Sequence, residues 1–66
     1  MMQELFDGQI LVDEKNKRLT WNPEELFENI YLLLGLAKMV LNIKFIGAPY
    51  KVKEGIWAIN YEEVSK

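Results

Sequence analysis

Two apolar stripes overlap along one stretch of the chain. Leu26, Ile30, Leu33, Ala37 and Leu41 recur at intervals of three and four residues, and so do Leu32, Leu36, Met39 and Ile43. At about 100° per residue, each set falls on its own side of a helix. The first stripe supplies the face that packs on the rest of the chain. The second finds no partner in so short a chain, so it is expected to meet another molecule.

The start of that helix is signalled by Asn22 as N-cap, Pro23 at the first helical position and Glu25 completing a capping box. Trp21 and Leu26 occupy the hydrophobic-staple positions, and Glu24, Glu25 and Glu28 suit the positive end of the helix dipole. Gly47 followed by Pro49 reads as the stop, which predicts a helix of about two dozen residues. A shorter alternative ends the helix near Asn42 and makes Ile43 to Ile46 a strand. The glycine–proline terminator favours the longer form.

On either side of the helix the period changes to two. Gly8 to Trp21 reads as a β-hairpin turning at Lys15-Asn16, which pairs Glu14 with Lys17, Asp13 with Arg18, Val12 with Leu19 and Ile10 with Trp21. Tyr50 to Tyr61 reads as a second hairpin turning at Glu54-Gly55. A tight turn there faces Tyr50 and Val52 against Ile59 and Trp57, and a bulge would shift the pairing by one residue. The expected fold is therefore α+β: a two-layer ββαββ sandwich, with an antiparallel sheet of two hairpins packed on one long central helix. Residues 1–66 form one domain, with 1–7 and 62–66 expected to fray, although Leu5 and Phe6 could dock.

Composition narrows the chemistry. The 66 residues include neither cysteine nor histidine, so disulfides, thiolate metal sites and the usual general base are excluded. A chain of this size buries only about 60 % of the surface it exposes when unfolded, and assembly is the remaining way to gain stability. Half the residues are hydrophobic, too many for a disordered segment. The net charge of −2 gives no general attraction to nucleic acid or anionic lipid. Residues 1–7 lack the layout of a signal peptide and no apolar run reaches membrane-spanning length, so a cytoplasmic protein is the expectation.

No catalytic, metal or cofactor site is expected. Thr20 and Ser65 are the only non-aromatic hydroxyls, and nothing in the sequence can activate them. Glu24 and Glu28, one helical turn apart, read as dipole-complementing residues rather than a cation site, and Glu62-Glu63 as a solvated tail. Lys44, Lys51 and Lys53 beside Tyr50 could contact nucleic acid, but Arg18 is the only arginine and lysines on a hairpin also discourage edge association. Trp21, Trp57, Tyr50 and Tyr61 could line a pocket for a nucleotide-like molecule at a subunit interface, or simply form core. Gly35 costs about 1 kcal/mol against alanine in mid-helix and falls beside Leu32 and Met39, where it would let a second helix approach. The expected interface is Leu32, Gly35, Leu36, Met39 and Ile43. The functional expectation is a non-catalytic interaction protein, a homodimer or higher oligomer that engages a larger protein, such as a phage- or plasmid-type inhibitor or adaptor. A ligand-sequestering protein and a small nucleic-acid-binding regulator are the alternatives.

Overall fold

In the computed structural model, which describes residues 3–64, the chain runs through β1 (Gln3–Leu5), β2 (Ile10–Asp13), β3 (Arg18–Trp21), a 3-10 turn (Pro23–Glu25), α1 (Ile30–Leu41), β4 (Ile43–Lys53) and β5 (Ile56–Glu63). The five strands form one antiparallel sheet in the order β1-β2-β3-β5-β4. The helix carries the chain from β3 to the far edge, and β5 then returns to fill the gap between β3 and β4. The class is α+β, but the arrangement is not the expected ββαββ sandwich. A short strand at residues expected to fray adds a fifth member, with Leu5 paired to Ile10 and packed against the core. Glu62 and Glu63 likewise belong to β5 rather than to a solvated tail. Met1, Met2, Ser65 and Lys66 lie outside the described residues.

The first hairpin has the expected register, with Val12 opposite Leu19 and Asp13 opposite Arg18. Its loop is longer than expected. Residues 14–17 form the turn, and positive φ falls on Lys17 rather than Asn16. Asn16 is held instead by the Asp13 carboxylate, which accepts from its side-chain amide at 2.8 Å and its backbone N–H at 3.2 Å. Four loop residues keep the same cross-strand partners as two, so the apolar face survives.

These bonds from Asn16, with a contribution from Arg18, hold the Asp13 carboxyl below its ordinary pKa. Glu63, bonded by Lys17 at 2.8 Å, is lowered in the same way. A lowered native pKa stabilises the fold above the unfolded value and loses that contribution as the pH falls through the native one. Stability should therefore decline below about pH 4, near the ordinary aspartate value. Asp13→Asn is expected to flatten that decline, as measured by urea midpoints between pH 2.5 and 6. An unchanged acid limb would remove Asp13 from the account.

The helix is shorter than expected at both ends. Asn22 does cap a turn, accepting from the Glu24 N–H at 2.9 Å, but this is only the 3-10 turn and Leu26 already has extended dihedrals. The Phe27 N–H, which a continuous helix would commit to Pro23, donates instead to Gln9 Oε1 at 2.7 Å. A second asparagine, Asn29, then caps α1 by accepting from the Tyr31 N–H at 2.8 Å. At the other end Asn42 adopts the left-handed conformation, and its N–H bonds back to the Lys38 carbonyl. Asparagine tolerates that region better than most residues, so it closes the helix five residues ahead of Gly47.

Gly47, with φ +73°, sits inside β4, where the register slips between Ile46 and Tyr50 and residues 47–49 arch away from β5. A second irregularity follows before the Glu54-Gly55 turn. Lys53 faces Ile56 as the tight turn requires, but Tyr50 then faces Ala58 and Lys51 faces Trp57, one residue out of the tight-turn pairing.

The core lies between α1 and one face of the sheet. Ile10, Val12, Leu19, Trp21, Ile59 and Tyr61 meet Leu33, Leu34 and Ala37, with Ile30, Leu41 and Leu26 packed at its margin. The expected core stripe is thus the buried stripe, joined by Leu34. The other face of the sheet carries a polar row, Asp13, Arg18 and Asn60, on which the Tyr50 hydroxyl donates to Asn60 Oδ1 at 2.8 Å. Among the described residues no buried side-chain nitrogen or oxygen lacks a partner.

Candidate functional site on the outward face of the helix

Helix α1 reads IYLLLGLAKMVL, twelve residues with Lys38 as the only charge. A helix that is apolar all round is normally buried on every side. Here the sheet covers Leu33, Leu34 and Ala37, and the rest of the circumference faces outward. Leu32 is 53 % exposed, Leu36 42 % and Met39 80 %, and Tyr31 and Val40 on either flank are exposed as well. Phe27, in the bend ahead of the helix, is exposed too. Single exposed apolar residues are ordinary, but these share one side of a helix whose only charge is Lys38.

Four of the five expected interface residues share this face: Leu32, Gly35, Leu36 and Met39. Ile43 does not. It is 3 % exposed and opens β4 in the core, because the left-handed turn at Asn42 ends the helical phase that placed it one turn beyond Met39. Tyr31 and Val40 belong to the face but were missing from the expected stripe. Their positions, one residue before Leu32 and one after Met39, could have shown it, since a face opposite a narrow core is wider than one row.

Gly35 is the least explained residue by the needs of this chain. A methyl group built on it meets nothing within 4 Å, and its φ is not positive, so neither packing nor backbone geometry requires glycine. Beside it an apolar groove of about 510 Å³ runs between the helix and the β4 arch, lined by Tyr31, Leu34, Gly35 and Lys38 on one side and Phe45, Gly47, Ala48, Pro49 and Ile59 on the other.

The other candidates are dispersed. Lys44 is bonded to Glu62 at 3.1 Å and Lys51 to Glu54 at 3.2 Å, so two of the three lysines considered for nucleic acid carry local counter-charges. Trp21 and Tyr61 are buried in the core, while Tyr50 lies on the opposite sheet face. The aromatic set therefore does not line one pocket. Glu24 sits in the 3-10 turn and Glu28 in the bend that follows, not one helical turn apart. Thr20 is buried in β3, and Ser65 lies outside the described residues. Among the described residues no group of three or more acidic, cysteine or histidine side chains could hold a metal ion, and no helix is long and apolar enough to cross a membrane. Comparison with family models, curated proteins and solved structures returns no match, which leaves the outward face of α1 to be read from its own chemistry.

Proposed function

We propose that this chain is a non-catalytic interaction protein that assembles with copies of itself through the outward face of α1. In that assembled form it occupies a surface on a larger protein, as a small inhibitor or adaptor of the phage or plasmid type would. The observation that carries the reading is the contiguous apolar surface of Tyr31, Leu32, Leu36, Met39 and Val40, interrupted only by Gly35. Burying such a surface returns about 25 cal/mol for each Å² removed from water, a useful gain for a domain of this size. A chain without histidine or cysteine is also better equipped to bind than to make or break bonds.

Leu36→Glu tests the proposal. In a lone chain the glutamate stays solvated and the helix keeps its propensity. Across a helix pair it would bury an unpaired carboxylate, at several kcal/mol. Light scattering at high micromolar concentration should give an assembled mass for the wild type and a monomer mass for the variant, with the circular dichroism of a folded protein in both. A wild-type chain that remains monomeric under those conditions would overturn self-association.

A further inference from the structure

We infer that the assembly closes at two chains, whose α1 helices lie antiparallel about a two-fold axis beside Gly35 and Leu36; the inference rests on the reading of this face as a self-association surface. Charge first points to this arrangement. The approach to the helix is acidic and exposed, with Glu24, Glu25 and Glu28, while its last turn carries Lys38. Antiparallel copies set the acidic end of each against the basic end of the other and oppose their helix dipoles, whereas parallel copies would stack like charges at both ends.

Shape agrees with charge. With the axis beside Gly35 and Leu36, each Leu32 lies next to the partner's Met39, so the two most central exposed side chains fill one layer twice over. Each flank of the helix meets the same flank of its copy. On one side the Leu36 side chains meet, and on the other Gly35 faces the partner's Gly35 with no side chain between the backbones. The glycine that folding does not require is thus accounted for by closest approach. A contact of this kind uses the same patch on both subunits and leaves none free for a third chain.

Single cysteines test the orientation, since the chain has none of its own. In the antiparallel pair two copies of position 36 lie close to the axis, whereas two copies of position 32 are displaced along it by about 10 Å at 1.5 Å per residue. A disulfide needs Cα atoms within about 7 Å. Leu36→Cys should therefore form a covalent dimer on mild oxidation. Leu32→Cys alone should not, but should do so when mixed with Met39→Cys. Gly35→Leu should fold and weaken self-association at least tenfold. Cross-linking of Leu32→Cys alone without the mixed product, undiminished assembly of Gly35→Leu, or a wild-type mass above two chains would each overturn the inference while leaving self-association through α1 standing. A monomeric wild type would remove both.

Discussion

Leu33→Glu should leave no cooperatively folded protein at 25 °C. Leu33 is 3 % exposed and belongs to the core cluster that includes Leu19 and Ile59. The substitution removes a fully buried leucine, which alone costs about 2–5 kcal/mol. It also places a carboxylate in a cluster of apolar side chains, where burial penalises its charged form. A domain of this length has roughly 3–10 kcal/mol to lose, at 0.05–0.15 kcal/mol per residue. Thermal scans by circular dichroism should show no transition, while Leu36→Glu, three residues further on, should retain one. The reverse pattern would mean that the two faces of α1 are exchanged.

The second large effect separates a short helix from a long one. Ile43→Ala is expected to destabilise the chain by about 2–5 kcal/mol, because Ile43 is core at the start of β4. Met39→Ala, on the outward face, should fall within about 0.5 kcal/mol when measured at concentrations where the chain is monomeric. On a helix running through to Gly47, both residues would lie on the same exposed stripe and both changes would be mild. Urea denaturation of the two variants distinguishes the cases, and equal small shifts would contradict the break at Asn42.

What could be read from the residues was whatever a local period or a cross-strand match determines. The pairing of Val12 with Leu19 and Asp13 with Arg18 follows from apolar alternation, since a one-residue slip would turn four large side chains to the wrong face. Leu33 and Ala37 follow from helical spacing in the same way. The helix boundaries did not, because the chain contains two competent caps. Asn22 and Asn29 both suit an N-terminus, and the choice is made by Gln9, whose side chain takes the Phe27 N–H from a distant part of the sequence. At the other end, Gly47 and Pro49 serve a strand arch as well as they would a helix stop. Strand β1 was illegible for a simpler reason: Gln3, Glu4 and Leu5 show no alternation, and their pairing is supplied by β2. Leu32, Gly35, Leu36 and Met39 still share one exposed face because they lie inside the stretch that both helix lengths share. Ile43 failed because it lay outside it.

The arch at residues 47–49 bears on how the protein avoids polymerising. β4 is an edge strand eleven residues long, and an uninterrupted edge of that length is a template for strand addition by any other chain. The arch divides it into two short runs that do not share one line of backbone donors and acceptors. Pro49 has no N–H to offer an incoming strand, and Lys44, Lys51 and Lys53 place charge along both runs. Growth from this edge of the sheet is thereby discouraged, even though the helix leaves apolar side chains exposed. Three residues in the middle of one strand thus oppose fibre growth through this edge of the sheet, whatever comes to cover the helix.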